Sequence, residues 1–188
     1  MRGRELFKKT KIILNIFTKI MGIFPIFIRM FIWNCSSIFG NRVSVAIRYI
    51  LLKTMALKIG DNIYIGKYVI IKNPKRISIG NNVSIHDYSY IDGTGGLEIG
   101  NDVSIAHSCS ILTTNHQWVD STRTIKDNIG IHGKVIIGND VWIGCGVRIL
   151  SNVTINNRSV VAAGAVVNKN VEENSLVGGV PIKKIKSI

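Results

Sequence analysis

The sequence predicts an all-β fold, a parallel β-helix of about five turns behind an N-terminal α-helical extension, and three observations predict it. From residue 137 an aliphatic side chain returns every sixth residue, at Ile137, Ile143, Ile149, Ile155, Val161 and Val167. Six matches neither the 3.6 of a helix nor the alternation of a single strand. It matches a coil of three short strands, each sending one aliphatic side chain into a triangular prism before a corner. Between these positions stand Gly138, Asn139, Gly144, Gly146, Asn152, Asn156, Asn157 and Gly164, residue types that tolerate the left-handed backbone such corners need. The first 57 residues lack the period and carry helical patterning instead. The chain therefore divides into an extension, residues 1–57, and a repeat domain, residues 58–188.

In the extension, Lys8, Lys11, Asn15, Thr18, Lys19 and Gly22 recur every three or four residues, opposite Ile12, Ile13, Ile16, Phe17, Ile20 and Phe24. That is an amphipathic helix with a wide apolar face and a basic edge. Lys19 and Arg29 interrupt the apolar stretch from Lys8 to Phe39, whose charge-free runs are about half the ~20 residues a spanning helix needs. The stretch also lacks the small-residue cleavage pattern of a secretory signal. Its apolar face either packs on the solenoid or another subunit, or rests on an anionic membrane surface; the basic residues flanking Phe24, Phe27, Phe31 and Trp33 favour the membrane. A second helix is expected from about Val43 to Leu57.

The six-residue period begins at Ile59. Ile59, Ile65 and Ile71 form one triplet, Ile79, Ile85 and Ile91 a second, and Ile99, Ile105 and Ile111 a third. The period slips by two residues after Ile71 and after Ile91, and by twenty after Ile111. Every insertion follows the third side of a turn, so all extra residues emerge along one edge. Turns are expected to start near 59, 79, 99, 137 and 155. The large excursion, roughly 113–135, has no packing reason to exist on such a scaffold, and chemistry is sought there.

Composition narrows the function. At 188 residues and 46% hydrophobic content the chain is long enough for one domain with a sizeable core. Residues 1–53 hold ten Lys or Arg against Glu5 alone, so most of the net charge of +13 sits in the first quarter. That charge lies on an apolar helix with no nucleic-acid motif, so nucleic acid is not expected as a partner. Cys35, Cys109 and Cys145 are odd in number with no C-x-x-C spacing, which argues against a disulfide framework or zinc knuckle and for a reducing cytoplasm. The asparagines of the N-x-S/T triplets at 82, 152 and 157 fall on repeat corners, where turn chemistry explains them.

Across residues 58–186 the chain resembles the hexapeptide-repeat acyltransferases, in particular maltose, galactoside and capsular or exopolysaccharide O-acetyltransferases. The resemblance rests on NVSIHDYSYID, IGNDVSIAHSCSI, the Asn115-His116 pair, IIGNDVWIG, VVAAGAVVNKNV and SLVGGVPIKKIK in that order. It implies a left-handed parallel β-helix, an exception to the usual crossover hand, assembled as a homotrimer with active sites between subunits. His116 matches the histidine that acts as general base in similar enzymes, with Asn115 beside it. Such a base is chemically required, because an alcohol is barely nucleophilic at neutral pH and imidazole has a suitable pKa.

The acyl donor implied is acetyl-CoA. Its site should combine an apolar groove with cationic ends, and the resemblance sets the pantetheine arm along the corners at Gly144, Cys145 and Ala163. Trp142 would wall the site. Asn168 and Lys169 would lie near the far end, and Lys183 and Lys186 near the phosphates. Cys145 is expected to matter through its backbone N–H, which could stabilise a developing oxyanion, rather than as a nucleophile. His86, Asp87, Asp92 and Trp118 are candidates for the acceptor site, with Tyr88, Asp120 and Arg123 as further sugar-binding groups. His86, His107 and His132 do not reproduce a zinc-site spacing, and no metal is expected. The function expected is acetyl transfer to a sugar hydroxyl in surface-polysaccharide biosynthesis, with a lipid-linked saccharide acceptor at the inner face of the cytoplasmic membrane. Alternatives are N-acetylation of an amino-sugar nucleotide and a non-catalytic solenoid scaffold.

Overall fold

The computed structural model describes residues 3–188, and the hexapeptide period is realised as a parallel β-helix. The first face stacks Lys58–Ile59, Ile77–Ile79, Leu97–Ile99, Val135–Ile137 and Thr154–Ile155. The second stacks Tyr64–Ile65, Ser84–Ile85, Ser104–Ile105, Trp142–Ile143, Val160–Val161 and Ser175–Gly178, and the third Ile70–Lys72, Tyr90–Asp92, Ser110–Ile111, Arg148–Ile149 and Val166–Val167. Register follows the period, with Ile79 beside Ile99, Ile99 beside Ile137 and Ile137 beside Ile155. The five turns start where the aliphatic spacing placed them. A partial sixth follows, in which Val171 bridges Ile155 and Ser175–Gly178 joins the second face. The chain then reverses, and Lys183–Ser187 pairs antiparallel with that last strand, covering an edge that would otherwise offer unpaired amides.

Inside the prism Ile65, Ile85, Ile105, Ile143 and Val161 form one column and Ile91, Ile111, Ile149 and Val167 another, all fully buried. Corners between the first and second faces are tied by asparagine side chains. Asn81 Oδ1 accepts from the amide of Asp61 at 2.9 Å, Asn101 from Asn81 at 2.8 Å, Asn139 from Asn101 and Asn157 from Asn139 at 2.7 Å each. Each coil thus satisfies a corner amide of the one before it.

Three helices, not two, form the extension: α1 (Gly3–Ile23), α2 (Ile26–Ser37) and α3 (Arg42–Met55). The stretch expected to be one helix breaks at Pro25, which has no N–H to continue α1 and sits with extended ψ as the N-cap of α2. α3, capped by Asn41 accepting from the Ser44 amide at 2.9 Å, buries Tyr49, Leu51, Leu52 and Met55 in a core continuous with the first coils. α1 and α2 pack on α3. The buried Arg48 joins the parts, donating to the carbonyls of Ile65 on the first coil (2.9 Å) and of Ser36 and Phe39 (2.9 Å) at the end of α2.

α1 presents Phe7, Leu14 and Met21 inward, with Phe7 edge-on to Tyr49 at 5.4 Å. Lys11 and Arg4 on the same side reach Asp61 (2.5 Å) and Asp102 (2.7 Å). The wide apolar face from Ile12 to Phe24 is therefore exposed, and within the chain it does not pack on the solenoid.

Candidate functional site

The excursion after the third turn stands on a polar root. Asp92 is only 4% exposed. Its carboxylate accepts from the Thr94 amide (2.9 Å) and hydroxyl (2.5 Å), and from the Thr113 amide (3.2 Å) and hydroxyl (2.9 Å). Burial pushes this carboxyl up, but the hydrogen bonds from Thr94 and then Thr113 outweigh it and hold the group below the usual carboxylate range. Gly95 is forced at this crossing: a Cβ there would stand 2.2 Å from the Thr113 carbonyl oxygen. Asp92, expected at the acceptor, holds the loop in place in the chain by itself, its oxygens facing the half-buried Thr94 and the buried Thr113.

From that root Thr114–Asn115 and Ile131–His132 run as a two-residue antiparallel ribbon, and His116 is the first residue beyond it. Asn115 Oδ1 accepts from the His116 amide at 2.9 Å, fixing the backbone that carries the exposed imidazole. The rest of the loop is organised around Asn128, which sequence reasoning missed. Its buried side chain accepts from the Asp120 amide (3.1 Å) and donates to the carbonyls of Asp120 (3.1 Å) and Thr124 (3.0 Å). Asp120, held below the ordinary carboxylate range by the Thr122 hydroxyl and amide, pairs with Arg123 at 3.2 Å. Trp118, Val119 and Ile129 are 68–83% exposed, an apolar outer surface on an ordered loop.

The remaining expected residues lie elsewhere. Gly144 and Cys145 turn the corner between the second and third faces, and Ala163 turns the same corner one coil later. The coils touch there so closely that a Cβ on Gly144 would stand 2.6 Å from the Ala163 nitrogen. Among the described residues the Cys145 amide donates to no acceptor, while its counterpart at Lys67 donates to Asp87 Oδ1 at 2.8 Å. Ala163 and Trp142 are exposed, Trp142 on the outside of the second face. His86 and Asp87 occupy the same corner line two coils before Gly144, with the His86 ring 5.3 Å from Tyr64 and Tyr88 stacked on Tyr68 at 5.1 Å. Asn168 and Lys169 follow the third face, on the edge that carries the His116 loop. Lys183 and Lys186 are exposed on the terminal strand; Lys184 between them pairs with Glu172 at 2.8 Å, and the other two have no ion pair among the described residues.

Within one chain, then, His116 and Cys145 lie on different edges of the prism, at opposite margins of the third face. A shallow depression of about 530 Å³ between α1 and the second face, bordered by Arg4, Asn82, Asp102 and Asp140, contains none of the expected residues.

A fold of stacked hexapeptide coils with a single histidine-bearing excursion defines a class, and the comparisons with known proteins agree with it. The family pattern described as "Bacterial transferase hexapeptide (six repeats)" matches residues 134–169. A hexapeptide-repeat containing acetyltransferase of Vibrio cholerae, solved with acetyl coenzyme A, is 31% identical at a TM-score of 0.73, with 82% of each chain covered. A galactoside acetyltransferase solved with coenzyme A is 29% identical at a TM-score of 0.75, covering 83% of this chain and 77% of that one. The galactoside O-acetyltransferase of Escherichia coli K12 is 44% identical over 54 residues, 29% of this chain and 26% of that protein. Alignments with curated relatives take in 25–42% of those proteins' length. The chain belongs to the hexapeptide-repeat acetyltransferase family.

Proposed function

We propose that this protein transfers an acetyl group from acetyl-CoA to a sugar hydroxyl during assembly of a surface polysaccharide such as capsule, exopolysaccharide or O-antigen. The observation that carries the proposal is His116, an exposed imidazole on a backbone fixed by Asn115 at the exit of a loop rooted on Asp92 and Thr113. An imidazole nitrogen of His116 takes the proton of the acceptor hydroxyl as that oxygen attacks. The thioester of the donor supplies an activated acetyl carbonyl. The Cys145 amide, free of any acceptor in the described chain, stabilises the developing oxyanion. Acyl transfer is direct: the tetrahedral intermediate collapses with cleavage of the C–S bond, the proton held by His116 passes to the departing coenzyme A thiolate, and the Cys145 thiol is not acylated.

The small corner residues Gly144, Cys145 and Ala163 form an apolar shelf for the pantetheine arm, with Trp142 as a wall. Asn168, Lys169, Lys183 and Lys186 meet the polar end of coenzyme A, where lysines act as point charges for phosphate. His86, Asp87 and Trp118 contact the acceptor. Base and shelf lie on different edges of one prism, which supports a homotrimer whose sites form between neighbouring chains; the exposed apolar surface of Trp118, Val119 and Ile129 suits burial against such a neighbour. Among the described residues no helix is long and apolar enough to cross a membrane. The basic extension fits a cytoplasmic enzyme held peripherally through residues 8–39 at the inner membrane face, where a lipid-linked saccharide is presented.

The test is to compare the O-acetyl content of the cell's surface polysaccharides with and without this protein. Loss of hydroxide-labile acetate from one polysaccharide is expected, and unchanged acetylation of all of them would contradict the assignment.

A further inference from the structure

Ile12, Ile13, Ile16, Phe17, Ile20 and Ile23 are 42–82% exposed, and Phe27 and Phe31 of α2 are each 69% exposed. At 3.6 residues per turn the α1 side chains share one broad face, turned away from Phe7, Leu14 and Met21. Monomeric soluble proteins rarely leave so continuous an apolar patch uncovered.

The charges around this face indicate what covers it. The cations of α1 fall into two sets. Arg4 and Lys11, on the inward side, are tied to Asp102 and Asp61. Lys8 and Lys19 flank the exposed apolar face and Lys9 lies within it; among the described residues none of the three forms an ion pair. A second copy packed face to face would set these lysines against their own counterparts, with Glu5 as the only acidic residue in the extension to offset them. Anionic headgroups supply the missing charge, and acyl chains the apolar partner. We propose that α1 and the start of α2 dock on an anionic lipid surface, with α1 lying in the interface plane and its inward side remaining on α3. This deepens the membrane-side reading above and rests on it for its biological sense. Lipid binding is read without acceptor or coenzyme A, so its failure leaves acyl transfer untouched.

The test uses the full chain with phosphatidylcholine vesicles, pure or containing about one-third phosphatidylglycerol, followed by co-sedimentation at about 0.1 M and about 1 M salt. The protein should bind the anionic vesicles at least about tenfold better than the neutral ones, with the difference shrinking at high salt. Lys8→Glu with Lys19→Glu should remove that preference. Ile16→Asp with Ile20→Asp should abolish binding to both. Failure of the wild-type protein to bind anionic vesicles, or equal binding by the lysine variant, overturns the proposal. So does a fall in oligomer mass of the isoleucine variant by sedimentation velocity, which would give the face to a second copy. Should the isoleucine variant lose helical circular dichroism, the lysine variant, changed only at exposed flanking positions, decides alone.

Discussion

Asp92 and Thr113, twenty-one residues apart, are joined through the Asp92 carboxylate, to which the Thr113 amide and hydroxyl both donate, the hydroxyl also lying 3.1 Å from the Asp92 carbonyl oxygen. This pair closes the root of the loop that carries His116. Asp92→Asn would set an amide N–H₂ against donors and should cost about 1–3 kcal/mol, with a loss of turnover that exceeds the change in substrate affinity.

The same carboxyl gives a pH dependence. Its pKa is depressed in the folded chain, so its contribution to stability is present above the unfolded value of about 3.9 and is lost as pH falls through the lower folded value. Thermal melts from pH 6 down to pH 2 should show a loss of stability below about pH 4 that is smaller in Asp92→Asn. Identical acid slopes for the two proteins would contradict this account of Asp92.

Arg48 holds the extension to the solenoid. Arg48→Met leaves the carbonyls of Ile65 and Phe39 without their donor and takes one from that of Ser36, and about 2–4 kcal/mol should be lost. Burial, partly opposed by Tyr64 and Asp87, lowers the pKa of this guanidinium, and its bonds to the three carbonyls are charge-assisted. A fall in melting temperature of several degrees is expected, and an unchanged melting curve would show that the joint lies elsewhere.

Cys145→Ser should keep most of the activity, because the proposed direct transfer uses the backbone amide of this residue and not its thiol. Mass spectrometry of the enzyme incubated with acetyl-CoA alone should find no acylated cysteine; a stable adduct on Cys145 would overturn direct transfer.

The solenoid was legible residue by residue because a prism admits one aliphatic side chain per side: Ile79, Ile99 and Ile137 share a column for the reason they share a spacing. The insertion edge was legible for the same reason. The break at Pro25 was foreseeable from its missing N–H, yet the continuous apolar stripe through Phe24 concealed it. The structural part of Asp92 was not anticipated, because a carboxylate in a loop-rich motif reads as a ligand group until its donors are seen, although Asp92-Gly-Thr94 is an Asx-turn signature that could have signalled the bond to Thr94. Asn128 gave no signal, since its partners are backbone groups whose position only the folded loop defines.

Subunit sharing of the site is read by mixing defects. In the proposed homotrimer, assembled at random from His116→Ala and Ala163→Phe chains, about a quarter of the intersubunit sites combine an intact His116 with an intact shelf. Co-expression should restore activity toward that fraction of wild type. Mixtures as inactive as the parents would place the whole site in one chain.

The most direct measurement is transfer of radiolabelled acetyl from acetyl-CoA to the saccharide fraction of a membrane extract, by wild-type protein and His116→Ala compared side by side. Hydroxide-labile label on saccharide is expected, falling by about 10² or more in His116→Ala while its melting curve is retained. Equal transfer by the two proteins, or label held as a hydroxide-stable amide, would contradict that expectation.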